Sequence, residues 1–334
     1  MIKNFALTLI STFYEFITYF RNLFYEIGVF KINQLPCKVI SIGNLTVGGT
    51  GKTPTVIYMA KLLKNKGYKI GIISRGYKRT TKGTILVSDG INTFHKWHEV
   101  GDEPFMMATI LKNIPIAVDS NRYRAGLLLL KKFNTDIILM DDGFQHRKLY
   151  RDIDILLING GESSNMYKPL PQGLLRESWA SISRADIIIT TKKKPNITLS
   201  NKIKDTLLPV FDTKINYSII KKKSTDISLQ LKNKNVFLYS GIADPKSFST
   251  AIIKMNCNIC GSRFFPDHFS YSEKDIKKIE SLAKENNADV IITTEKDWVK
   301  TKEYNPKFEL WVIKLSLEII EEKKFYKTLL SFTL

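Results

Sequence analysis

With 334 residues the chain is long enough for two domains that each bury a core of their own. Hydrophobic residues at 43% and charged residues at 25% exclude a disordered or fibrous chain. The 51 basic and 32 acidic residues leave a formal charge of +19, which suits an acidic partner such as nucleic acid, anionic lipid or a phosphorylated substrate, although lysine-rich coding from an AT-biased sequence gives the same excess.

Residues 5–30 are dominated by apolar and aromatic side chains. Leu9, Phe13, Phe16, Phe20, Phe24 and Ile27 recur three or four apart, opposite Thr8, Ser11, Glu15, Thr18, Asn22 and Glu26. The least interrupted stretch, 5–20, is shorter than the roughly 20 residues a bilayer demands and contains Glu15. The pattern predicts an interfacial helix lying in a membrane surface, with docking on the domain or on another subunit as the alternative.

A short apolar strand over 37–42 runs into a glycine-rich turn and then a helix over 54–64, where Val56, Ile57, Met59, Ala60, Leu62 and Leu63 keep helical spacing. Gly48, Gly49 and Gly51 let backbone N–H groups converge on anionic oxygens; Lys52 supplies a charge for the outer phosphates and Thr53 an oxygen for magnesium. The spacing G-x-x-x-x-G-K-[ST] wants glycine where this chain has Thr46, so strand and helix context carries the reading. A nucleoside triphosphate is the expected ligand.

Further strands are predicted over 69–74, 114–118, 135–140, 153–158 and 185–190, with helices over 104–112 and 122–132. Their short, nearly continuous apolar runs suit strands covered on both faces. The expected fold is α/β and P-loop NTPase-like, a mainly parallel sheet with helices on both faces, plus a smaller α/β second domain. Residues 191–234 turn polar and lysine-rich, which suggests a boundary; strands over 236–239, 289–293 and 310–313 would form the second unit. The expected division is 1–33 for the N-terminal helix, 34–212 for the phosphate-binding domain and 213–334 for the smaller one, whose last segment is free to pack back on the first. Three cysteines exclude a disulfide framework, and with no cleavable signal evident a cytoplasmic setting is expected. Cys257 and Cys260 form a C-x-x-C pair without the second pair or histidines a zinc site needs.

Asp141 and Asp142 close an apolar strand, where a carboxylate faces the phosphate site of an open α/β sheet and helps to hold magnesium. Gln145 and His146 follow on the same loop. Asp102 and Glu103 stand at a helix entry before Pro104, where Asp102 fits both a helix cap and a general base. His268 shares a loop with Asp267 and aromatic rings. Basic loops at 74–79, 121–124 and 171–177 offer arginine forks for phosphate oxygens.

The ordered set GNLTVGGTGKTP (43–54), SRGYKR (74–79), VGDEP (100–104), DDGFQH (141–146), LPQGLLRE (170–177), FPDHFSY (265–271) and TTEKD (293–297) resembles the tetraacyldisaccharide 4'-kinases, the lipid A 4'-kinases of Gram-negative bacteria. The resemblance implies transfer of the γ-phosphate of ATP, with Mg2+, to the 4'-hydroxyl of an acylated disaccharide 1-phosphate. It implies Asp102 as base, with His268 raising its basicity across a domain cleft, and Lys52 on the phosphates within a nucleotide loop of Thr46, Val47, Gly48, Gly49, Thr50, Gly51, Lys52 and Thr53. Thr53, Glu103, Asp141 and Gln145 become candidates for the magnesium shell, and Asn44, Arg75, Arg122, Arg176 and Glu177 for substrate or phosphate contacts. A monomer on the cytoplasmic face of the inner membrane, held by its N-terminal helix, is expected. The rival class is a membrane-associated partitioning or positioning ATPase, which carries a lysine where Val47 stands here. No aromatic-basic module or helix-turn-helix pattern supports a nucleic-acid partner.

Overall fold

The computed structural model describes residues 2–221, 225–226 and 231–332. In chain order come α1 (Ile2–Glu26), β1 (Lys38–Asn44), α2 (Lys52–Asn65), β2 (Ile70–Ser74), β3 (Ile85–Ser88), α3 (Trp97–Val100), α4 (Asp102–Ile110) and β4 (Ile116–Val118). They are followed by α5 (Arg122–Lys132), β5 (Ile137–Asp141), β6 (Ile153–Asn159), β7 (Ile187–Thr191) and α6 (Ile197–Lys204). Two strands, β8 (Val210–Lys221) and β9 (Thr225–Asp226), lead into β10 (Asn235–Ser240), α7 (Pro245–Ile253), β11 (Asn258–Phe264) and α8 (Glu273–Glu285). The described chain closes with β12 (Val290–Thr294), α9 (Glu295–Thr301), β13 (Leu310–Ile319) and α10 (Glu322–Ser331).

The strands form one 13-stranded sheet in the order β11-β10-β12-β13-β8-β7-β6-β1-β5-β2-β4-β3, with β9 paired to β8. All pairings are parallel except β3 with β4, β8 with β13 and β8 with β9. β1, β5 and β6 are buried almost throughout, as the apolar runs required. β1 has β5 on one side and β6 on the other, so the chain turns to opposite sides of the sheet there. That switch opens the crevice in which the loops after β1 and β5 meet.

One ladder decides where chemistry can occur. β7 pairs with the beginning of β8, Thr190 opposite Asp212, whereas Ile313 of β13 lies opposite Ile219. The interval from 212 to 219 displaces the second half along the ladder by about 24 Å at the usual rise per residue. Because β13 runs against β8, the strands of the two halves point in opposite senses. Their carboxyl ends therefore face each other.

The structure also revises element boundaries. The lysine-rich stretch read as an interdomain boundary contains β8, and β13 extends to Ile319, beyond the predicted 310–313. Each strand had its apolar signal diluted by charged residues on alternate positions, Lys214 and Asp212 in one, Lys314 and Glu318 in the other. β3 and β11 were not anticipated, both lying at sheet edges where an apolar run is not required.

α1 docks by its polar side. Ser11, Thr18 and Asn22 are buried, whereas Leu9, Phe13, Phe16 and Tyr19 are about 60% exposed (64%, 65%, 59% and 60%). This inverts the amphipathic helix of a soluble domain. Among the described residues no helix is long and apolar enough to cross a membrane.

Candidate active site

The loop after β1 is pinned on both legs. On the outer leg, the Val47 N–H donates to Leu174 O at 2.8 Å and the Arg176 N–H to Leu45 O at 2.7 Å; Thr46 and Leu175 form a bridge between them. On the inner leg, Thr191 Oγ1 donates to Thr50 O at 2.8 Å. Gly48 and Gly51 adopt φ of +105° and +84°, the left-handed region that only glycine enters without strain. Gly51 is the N-cap of α2, so the turn delivers Lys52 and Thr53 into the first turn of a 14-residue helix, where N–H groups and dipole favour an anion. Lys52 Nζ lies 3.3 Å from Asn44 Oδ1 and 3.5 Å from Asp142 Oδ1. Asn44 is itself buried and its carbonyl accepts Gln145 Nε2 at 2.9 Å.

Three carboxylates gather beside this loop. Asp141 ends β5 opposite Ile42 of β1 and is buried. Its Oδ2 accepts Ser74 Oγ at 2.9 Å, while Oδ1 has no partner. Burial, then the charges of Glu103 and Asp142, push the carboxyl up to about 7. Burial and neighbouring Asp102 also raise Glu103, against Lys296 and Lys52. For Asp142, burial is outweighed by Lys52 and by Arg176, whose Nη1 lies 3.2 Å from both carboxylate oxygens, so it is held low. Two carboxyls raised by burial and by one another's charge, with an unpartnered buried oxygen on Asp141, fit a hard cation. Among the described residues no three His, Cys, Asp or Glu side chains form a cation cage.

Next to Glu103, on the same half, Asp102 meets the second half across the cleft. Asp102 occupies the first position of α4, and its Oδ1 accepts the Glu103 N–H at 2.9 Å. Its Oδ2 lies 2.8 Å from His268 Nδ1, on the loop after β11. Gly101, not Asp102, is the N-cap of α4 and has no side-chain cap; Asp102 bonds a first-turn N–H with one oxygen and His268 with the other. His268 adopts φ +63°, and its N–H is shared between Gly241 O (3.2 Å) and Asp267 Oδ1 (3.0 Å). The Tyr77 ring meets its imidazole edge-on at 5.4 Å. Burial would raise Asp102, but the His268 hydrogen bond, Lys296 and Lys300 prevail and hold it at about 2. His268 therefore lowers the basicity of Asp102 in this geometry, the reverse of the effect the resemblance implies, because a donor to the ionised carboxylate stabilises that form.

Two lysines that the sequence reading passed over complete the cluster. Lys296 Nζ lies 3.0 Å from Asp267 Oδ1, 3.7 Å from Asp102 Oδ2 and 3.9 Å from Glu103 Oε1. Lys300, fully buried, donates to Phe269 O at 3.1 Å, pairs with Asp297 at 3.1 Å and lies 4.0 Å from Asp102 Oδ2. Both sit on α9, four residues apart and on one face. The signal for Lys296 was the TTEKD motif, which puts a lysine in the first turn of a helix, where the dipole disfavours cations; Lys300, in the last turn, carried no such signal.

The remaining residues separate into two groups. Arg122 is buried beside Asp141 and Asp142; burial lowers its guanidinium to about 10 against those charges. Arg75 is exposed near it. Glu177 is buried, and its carboxylate is held by Arg21, Asn22 and Arg184 rather than by a group of the phosphate loop.

A family model described as Tetraacyldisaccharide-1-P 4'-kinase matches residues 3–333. The tetraacyldisaccharide 4'-kinase of Aquifex aeolicus is 38% identical over 95% of this chain and 96% of its own. That of Flavobacterium psychrophilum is 38% identical over 96% and 94%. A crystal structure of LpxK from Aquifex aeolicus in complex with ATP superposes with a TM-score of 0.80 at 32% identity, covering 100% of both chains.

Proposed function

The chain belongs to the tetraacyldisaccharide 4'-kinase family, and on that premise we propose how its cleft performs the reaction. The enzyme is a kinase of lipid A biosynthesis that uses ATP and Mg2+ to phosphorylate the 4'-hydroxyl of a tetraacyl-disaccharide 1-phosphate. One observation carries the assignment of roles. Asp102 and His268, 2.8 Å apart, come from the two facing halves and sit beside the carboxylates that flank Lys52.

The loop 46–53 cradles the triphosphate, with Lys52 on its outer phosphates. Thr53, Glu103 and Asp141 would hold Mg2+, with Gln145 fixing the floor of the site through Asn44. The ion, when bound, neutralises charge on the β- and γ-phosphate oxygens. Asp102 orients the 4'-hydroxyl and accepts its proton at Oδ2 as the oxygen–phosphorus bond forms and the bond from γ-phosphorus to the β-phosphate oxygen breaks. A carboxylate near 2 is a weak base. In a loose transition state the hydroxyl loses its proton late, so orientation matters more than basicity. His268 and Lys296 fix the carboxylate's position. Arg176, through Asp142, and Arg122 and Arg75 supply positive charge for phosphate oxygens; Asn44 positions Lys52.

We place the hinge in the β8–β13 ladder, between units 34–212 and 213–334, so that closure brings His268 to Asp102 and excludes water. The outward apolar face of α1, within the N-terminal segment 1–33, is assigned to the cytoplasmic surface of the inner membrane, where the acceptor's acyl chains reside. One chain supplies every group named, so a monomer suffices. An assembly ATPase remains the weaker reading, because Val47 stands where that class has its lysine. The test is incubation with γ-labelled ATP and a lipid A precursor: label must appear on the 4' position of the acceptor. Hydrolysis to free phosphate that responds to lipid alone would favour the assembly ATPase.

A further inference from the structure

Glu177 is 1% exposed and accepts three charged or polar donors: Arg21 Nη2 at 2.9 Å, Asn22 Nδ2 at 2.8 Å and Arg184 Nη2 at 2.7 Å. Two of them belong to α1. One turn or more earlier on the same helix, Tyr14 OH donates to Arg176 O at 2.8 Å, and Ser11 Oγ to Pro169 O at 3.2 Å while accepting the Gln172 N–H at 3.0 Å. The polar side of α1 is thus bonded along the whole segment 169–177.

That segment is the other wall of the phosphate loop. Residue 176 alone makes three connections: its carbonyl holds Tyr14, its N–H holds Leu45 O at 2.7 Å, and its guanidinium holds Asp142, which in turn faces Lys52. Leu174 O receives the Val47 N–H. Only two hydrogen bonds separate the Tyr14 hydroxyl from the backbone of the loop.

We propose that Glu177 is a positioning residue of the nucleotide site: by clamping α1 to the segment 169–177 it holds Arg176 and the outer leg of the phosphate loop in the geometry that binds ATP. In place of the substrate contact implied by resemblance, Glu177 acts through its neighbour. Burial would raise its carboxyl, but Arg184, Arg21 and Asn22 hold it low, so it stays an ionised acceptor for all three donors. α1 then does more than anchor the enzyme, because its seating and nucleotide affinity are linked and each strengthens the other.

The inference rests on the kinase reading, and the experiment separates the two. Equilibrium binding of labelled ATP with Mg2+ is measured on the full chain in lipid-free solution, for wild type, Glu177→Gln and Tyr14→Phe. A lipid-free readout removes any effect of anchoring. Glu177→Gln is expected to bind ATP about fivefold more weakly or worse, the lower end of usual coupling between linked sites. Tyr14→Phe, which loses a single hydrogen bond and keeps its ring, is expected to bind about twofold more weakly. Thermal melts identify a variant that fails to fold; should Glu177→Gln do so, Tyr14→Phe decides. Folded variants with wild-type ATP affinity overturn the inference and leave Glu177 as a structural anchor. A wild type that binds no ATP overturns the kinase reading instead.

Discussion

Replacing Lys300 by methionine tests whether the second half's contribution to the site depends on one buried charge. Its ammonium is fully buried and holds Asp297, Phe269 O and, more distantly, Asp102. Asp297 is equally buried and accepts Tyr271 OH at 3.0 Å and Thr294 Oγ1 at 2.7 Å. Lys300→Met keeps the volume but leaves Asp297 without its cation, and removing one partner of a buried pair costs about 3–5 kcal/mol. That is a large fraction of the ~5–15 kcal/mol by which domains are stable. Adding Asp297→Asn cancels the stranded charge and keeps one of the two acceptor oxygens, the new amide N–H2 donating to the other hydroxyl, so the double variant should recover at least ~1 kcal/mol, as directly coupled pairs do. Turnover should stay depressed in both, because Phe269 adjoins His268 and the loop has lost its tether. Urea denaturation of the four members of the cycle, with kcat measured for each that folds, gives both quantities. A single variant within about 0.5 kcal/mol of wild type, as surface changes usually are, or a double variant that loses the sum of the singles, refutes the reasoning.

His268→Ala should reduce kcat by about a hundredfold while ATP affinity is kept, since the imidazole touches Asp102 and not the phosphate loop; equal losses in both would contradict that separation. Gly51→Ala forces a side chain into φ +84°, so ATP titration and thermal melts should show weaker binding and a loss of about 1–2 kcal/mol. Glu295 supplies a pH dependence: burial raises it to about 7 against Lys314 and Lys61. A carboxyl raised on folding gives stability that is complete below its unfolded value of 4.5 and lost as pH rises through about 7. Glu295→Gln should therefore gain on wild type across that window in urea melts. A stability difference that does not vary with pH would remove the cause assigned here.

Much of the first half was legible because its elements announce themselves locally. The apolar strand, the glycines and Lys52 all lie between residues 37 and 52, and Asp141 closes a run of four apolar side chains. The side of α1 that faces the protein was not: the periodicity gave two faces, and only Glu177, Arg184 and the segment 169–177 decide that the polar one is buried. For the same reason Glu177 was grouped with substrate contacts, since its donors at 21 and 22 are too distant in sequence to suggest a pairing. Lys296 and Lys300 escaped because a helix of seven residues offers no periodicity, and their meaning depends on Asp102, which the facing of the two half-sheets brings to them. β8 was hidden by its lysines, although it sets that facing.

The central claim is that Asp102, held by His268 across the cleft, readies the sugar hydroxyl for a phosphate gripped at Lys52. Single-turnover transfer of labelled γ-phosphate to the acceptor by Asp102→Asn, with ATP binding measured in parallel, tests it most directly. The account predicts wild-type ATP affinity and a transfer rate lower by about a hundredfold or more. Transfer at the wild-type rate would contradict it.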